Sequence, residues 1–99
     1  MTRDAIISSL RKFDAALRAC GATGLYIYGS RVRGEARADS DVDLFIDYEP
    51  AVKVPNLFRL VEIEQALAKE LGVPVSIATR RSLHPLMQEE IEREALKVL

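Results

Sequence analysis

From Asp4 to Cys20 the larger apolar residues fall at Ile6, Ile7, Leu10, Phe13 and Leu17. Spacings of three and four put them on one stripe, which predicts a single amphipathic helix with Thr2 placed to cap it. Gly21 and Gly24 mark its exit, and Leu25-Tyr26-Ile27-Tyr28 predicts a short strand stopped by Gly29 and Ser30. Residues 31–40 are polar and lack a long apolar run, so they predict an irregular or partly helical loop. Alternation then returns from Asp41 to Tyr48. Val42, Leu44, Ile46 and Tyr48 share one face of this strand, and Asp41, Asp43, Phe45 and Asp47 the other.

A second helix is expected from about Asn56 to Leu71, with Leu60, Ile63, Leu67 and Leu71 inward and Gly72 as its stop. Val73–Thr79 predicts a third strand, where Pro74 argues for an edge position or the start of the ladder. The last helix should begin near Pro85 and turn Leu86, Ile91, Ala95 and Val98 inward. Phe13 and Phe58 read as core residues, Met87 as a gap filler and Cys20 as a buried small residue. The order helix, strand, strand, helix, strand, helix describes a small two-layer α/β (α+β) domain with a three-stranded sheet. Its first two strands are read as antiparallel neighbours with a functional loop between them.

Length and composition narrow the options. A chain of 99 residues spans one domain, residues 1–99, with room for one modest core. Fourteen Lys and Arg balance fifteen Asp and Glu, which argues against non-specific attachment to nucleic acid. One Cys and one His exclude a Cys/His zinc site and an internal disulfide. Met1-Thr2-Arg3-Asp4 is unlike a signal peptide, and no apolar run approaches the roughly 20 residues of a membrane span. The expected address is the cytoplasm.

The chemistry concentrates in Gly29-Ser30, a ten-residue gap, and Asp41-Val42-Asp43. Two acids spaced by two on a strand point the same way, roughly 6–7 Å apart along the backbone. Such a pair repels itself until a cation joins it, and Mg²⁺ is commonly held by one or two carboxylates with phosphates and water. Gly29 lets the backbone approach a ligand, Ser30 offers a hydroxyl, and Arg31, Arg33 and Arg37 bring positive charge to the same loop, with Gly29, Ser30, Arg31 and Arg33 expected to bind phosphate. These are the parts that phosphoryl or nucleotidyl transfer uses. A dinucleotide-binding Gly-x-Gly-x-x-Gly turn and a Gly-Lys-Ser/Thr phosphate loop are both missing from the sequence.

The run from Gly29 to Leu44 resembles the signature of the minimal nucleotidyltransferases, small members of the DNA polymerase beta-like superfamily. Many of these are antitoxins paired with a HEPN-domain toxin. Pro74-Val75-Ser76-Ile77 and Ser82-Leu83-His84-Pro85 resemble the family's third strand and the turn after it. The resemblance implies a nucleotidyltransferase fold with a mixed sheet, and transfer of AMP from ATP to a hydroxyl of a partner protein, a toxin tyrosine in the better-studied antitoxins. It implies that Gly29 and Ser30 contact the triphosphate, and that Asp41 and Asp43 hold Mg²⁺ or Mn²⁺. Partners would be a nucleoside triphosphate and a HEPN-like protein; neither a membrane nor direct nucleic-acid binding is expected, and oligomerisation stays open.

The chain departs from that family pattern at one position. A third acid usually stands on the next strand, where this chain has Ser76. Serine is a poor base and a weak metal ligand. Asp47 shares a face with Asp43 but lies about 13 Å along the strand, too far to substitute without a bend. Three readings therefore stand: an active transferase working with two acids, a catalytically impaired module that binds nucleotide or neutralises a partner by contact, and an active enzyme whose third acid comes from elsewhere, a partner chain included. His84 is read as a helix-start cap or a solvent-facing residue.

Overall fold

The sheet has four strands rather than the three expected from the sequence. The computed structural model describes residues 2–99. In chain order the elements are α1 (Arg3–Arg11), α2 (Asp14–Cys20), β1 (Gly24–Tyr28), α3 (Ser30–Arg33), β2 (Val42–Asp47), α4 (Leu57–Leu71), β3 (Val75–Thr79), a 3₁₀ turn (Arg80–Ser82), α5 (Gln88–Glu94) and β4 (Leu96–Lys97). The strands lie in the order β3-β2-β1-β4. β1 and β2 are antiparallel, as expected, and β2 and β3 run parallel through α4. Pro74 stands just before the edge strand β3, where its carbonyl accepts the Val42 N–H at 2.9 Å.

The fourth strand comes from residues predicted to continue the last helix. That helix spans only Gln88–Glu94, and Ala95 turns extended with φ −63° and ψ 143°. Leu96 then pairs with Ile27 and Lys97 with Tyr26, and Leu25 O accepts the Val98 N–H at 2.8 Å. Without β4 the outer edge of β1 would expose a row of unpaired backbone groups. A helix of seven residues whose sole buried side chain is Ile91 has little packing to set against that pairing. Val98 still reaches the core, from a strand end instead of a helix face.

The expected first helix is also two. Lys12 and Phe13 close 3₁₀-type bonds to Ser9 and Leu10, at 3.2 and 3.0 Å, and the axis breaks there. Ile6 and Leu10 on α1, and Leu17 and Cys20 on α2, thereby all reach the same core. Thr2 Oγ1 caps α1 through the Ala5 N–H at 3.1 Å, and Asn56 caps α4 through Phe58 and Arg59. Leu60, Ile63 and Leu67 form the inward stripe of α4, and Gly72 ends it with φ +75°. Phe58 precedes Leu60 by two residues, about 200° around the helix, and is 84% exposed rather than core. Leu86 is likewise exposed, because the chain from His84 to Met87 forms a turn ahead of α5; His84 Nδ1 accepts the Leu86 N–H there. Met87 is over half exposed and fills no gap.

The alternation on β2 holds. Val42, Leu44 and Ile46 are fully buried against α1, α2 and α4. The opposite face is not bare, as two layers would leave it. Phe45 is also fully buried there, with Leu83 and Ile91, and Tyr26 stacks on it at 4.8 Å between ring centroids. This second, smaller cluster anchors α5 beside the end of β1, which is what places the site described next.

Candidate functional site

At the end of β1 the chain makes a turn that only glycine tolerates. Gly29 has φ +83° and ψ −153° and precedes the four-residue α3. A Cβ here would lie 2.9 Å from Asp43 Oδ2 on the neighbouring strand. The missing side chain therefore lets the Asp43 carboxylate press against the turn.

Asp43 sits on β2 between Tyr28 of β1 and Ser76 of β3, its register partners on either side. It is half-buried, and burial raises its carboxyl above the usual range; the Asp41 charge raises it further, and Arg33 acts the other way. Asp41 is exposed, one residue ahead of β2. The two acids are thus close enough to feel each other, which is the like-charge arrangement a cation relieves. Burial, and then the Asp43 charge, raise the Tyr28 phenol above its ordinary value.

A cavity of about 240 Å³ opens beside these groups, lined by Tyr28, Gly29, Ser30, Arg33 and Asp43, with Met87, Ile91 and Glu94 of the facing segment. It combines a backbone turn, a hydroxyl, a guanidinium and a carboxylate. Among the described residues no group of three or more His, Cys, Asp or Glu side chains is arranged around a metal position. The donor set fits a hard cation that completes its shell with phosphate and water, and does not fit a closed all-protein site.

The arginines of the loop divide. Arg33 reaches the cavity, held by Glu35 at 3.0 Å and by both oxygens of Glu94 at 3.0 and 3.3 Å. Arg31 does not line it. Its side chain is buried, Nη2 donates to the Ser40 carbonyl at 2.6 Å, and Nε has no partner among the described residues. The residue after Ser40 is Asp41, so Arg31 ties down the loop that delivers the first acid. Arg37 is exposed, and its backbone N–H donates to Ser40 Oγ at 2.7 Å within the same loop.

Two acids outside the pair behave differently. Asp47 is engaged by Arg80 through two bonds, at 2.5 and 3.0 Å, and the guanidinium holds its carboxyl below the usual range. Arg80 also pairs with Glu92 at 3.3 Å and lies over the Tyr26 and Phe45 rings at 5.0 and 4.8 Å. Asp47 therefore belongs to a structural cluster further along the sheet. Glu94, which residue type alone does not set apart from the other acids of the last helix, accepts the Gly29 N–H at 3.2 Å. The available signal was its spacing of three from Ile91, which puts the two on one side of α5. Ser76 is exposed beside Asp43, with no acid on the same strand.

Comparison with known proteins bears on the family and the fold. Residues 8–98 match the nucleotidyltransferase domain family. The chain is 36% identical over 78 residues to the protein adenylyltransferase MntA of Thermococcus cleftensis, covering 79% of this chain and 76% of that one. A solved minimal-nucleotidyltransferase structure superposes with a TM-score of 0.68 at 36% identity, over 97% of this chain and 95% of its own. The same fold occurs, with a TM-score of 0.65 at 17% identity over 95% of this chain and 71% of the other, in the complex of a tri-AMPylated Shewanella oneidensis HEPN toxin with an MNT antitoxin.

Proposed function

The chain belongs to the nucleotidyltransferase domain family, and from that premise we propose that it is a Mg²⁺-dependent adenylyltransferase acting on a hydroxyl of a HEPN-like partner protein, as an antitoxin does. The observation that carries the reading is the pressing of Asp43 against the Gly29 turn, with Asp41 beside it and Arg33 across the cavity. A cytoplasmic address, where ATP and Mg²⁺ meet, goes with it. No helix is long and apolar enough to cross a membrane among the described residues.

In this mechanism Asp41 and Asp43 would hold the cation, and the Gly29–Ser30 turn and Arg33 would take the phosphate oxygens. Bound Mg²⁺ would supply charge neutralisation for the phosphates and steady the departing pyrophosphate. The partner's hydroxyl oxygen forms a bond to the α-phosphorus as the bond from that phosphorus to the bridging oxygen breaks. Pyrophosphate carries away the electron pair, and the hydroxyl proton passes to solvent, because Ser76 is no base. Arg31, by fixing the Ser40 carbonyl, positions Asp41 without touching the nucleotide.

Ser76 favours a second reading, in which the same fold binds and neutralises its partner by contact alone. The two are separated by incubating the protein with Mg²⁺, ATP labelled at the α-phosphate, and the HEPN protein encoded beside it. Label on the partner that falls by at least about a hundredfold in Asp43→Asn supports transfer. A complex that forms equally well with both proteins and carries no label supports the contact module.

A further inference from the structure

Glu94 ends α5 and reaches across the cavity to the turn after β1. Its Oε1 accepts the Gly29 N–H at 3.2 Å, and its two oxygens accept from Arg33 Nη1 at 3.0 and 3.3 Å. The Glu94 side chain is 20% exposed and that of Arg33 45%, so the carboxylate lies inside the mouth and the guanidinium at its rim. We propose that Glu94 stands in for a nucleotide phosphate: it occupies two donors of the phosphate-binding turn and must be displaced by the incoming triphosphate, so it sets nucleotide affinity. This rests on the reading of Gly29 and Arg33 as phosphate donors.

The chemistry of the contact supports this role. Carboxylate and phosphate oxygens compete for the same partners, a backbone N–H and a guanidinium. Two anions cannot share one N–H and one Nη1 at these distances without strong repulsion in a half-buried cavity. Glu94 is also held in place rather than resting there. Ile91, one turn earlier on the same side of α5, is buried with Phe45 and Leu83, and β4 follows directly after Ala95. Glu89 and Glu90 on the same helix are exposed, as surface acids ordinarily are. Arg33 Nε also donates to Glu35 at 3.0 Å, so two carboxylates compete with an incoming phosphate for this guanidinium.

A purely structural tie between α5 and the loop predicts the reverse behaviour, since loosening it would disorder the turn and weaken binding. The test is calorimetric titration of the full chain with inorganic pyrophosphate, and separately with a non-hydrolysable ATP analogue and Mg²⁺. Wild type, Glu94→Gln and Glu94→Ala are compared, and the Gly29 amide resonance is followed by NMR. Both variants are expected to bind each probe about tenfold more tightly than wild type. The Gly29 amide proton of ligand-free Glu94→Gln should move upfield, as its bond to a charged acceptor weakens. Unchanged or weaker binding in both folded variants, with wild type binding normally, overturns the stand-in role alone. Binding by none of the three proteins overturns the phosphate-site reading, and the stand-in role with it.

Discussion

Ser76 on β3 lies directly beside Asp43 on β2 in the parallel register of the two strands. A carboxylate at that position would reach the same space as Asp43, and the serine there is exposed. Ser76→Asp should therefore supply the missing acid. A positioned general base contributes about 10²–10⁴-fold, and even an imperfect one should raise AMP transfer to the partner at least about tenfold. A labelled-ATP assay at saturating Mg²⁺ checks this. For a contact-only module the substitution changes nothing.

Gly29→Ala meets two obstacles at once. Its backbone lies at φ +83°, and the added Cβ would come within 2.9 Å of Asp43 Oδ2. Backbone strain of this kind costs about 1–3 kcal/mol. For a domain this size that corresponds to a fall in Tm of roughly 4–8 °C per kcal/mol, read by thermal melting. Because the side chain that must yield is Asp43, metal affinity should fall as well. A melting temperature equal to wild type would mean that the turn is not held as described.

The acidic pair carries its own pH signature. Burial and Asp41 raise the folded-state pKa of Asp43 above its unfolded value. Its contribution to stability is therefore greatest below the ordinary carboxylate range and is lost as pH rises through the folded pKa. Metal binding runs the other way, because it needs the ionised form. The acid limb of Mg²⁺ binding should lie above the ordinary Asp value of about 3.9. Asp41→Asn should lower the Asp43 pKa while also weakening Mg²⁺. NMR titration of the Asp43 carboxyl carbon in both proteins checks the shift.

Asp47 and Arg80 are assigned to stability, not chemistry. The folded pKa of Asp47 is depressed by the Arg80 guanidinium, so this pair stabilises above the unfolded Asp value and loses that contribution as pH falls through the folded one. Arg80→Ala removes the bonds to Asp47 and the stacking on Tyr26 and Phe45, and should cost about 1–2 kcal/mol in urea unfolding. Nucleotide binding in the folded variant should be retained. Its loss would show that the cluster reaches into the site.

Much of this arrangement was legible in the chain because it is local. Alternation separated the core side of β2 from the side bearing Asp43, and Gly29-Ser30 with Asp41-Val42-Asp43 marked the candidate site through spacing and residue type. What stayed hidden depends on contacts remote in sequence. Leu96 and Lys97 form β4 because β1 has a free edge, a fact that no periodicity near residue 96 records. Arg31 is indistinguishable from Arg33 along the chain. In the fold one is buried against the Ser40 carbonyl while the other faces the cavity. Glu94 is one acid among several along the chain, and only its contact with Gly29 across the fold sets it apart.

The central claim is that Gly29, Ser30, Asp41 and Asp43 form one site for a nucleotide and its cation. The most direct measurement is an amide NMR titration with Mg²⁺, with and without a non-hydrolysable ATP analogue, in wild type and Asp43→Asn. The account predicts shifts at those four residues that need both ligands together and vanish in the variant. A well-folded spectrum that stays unchanged throughout would contradict it.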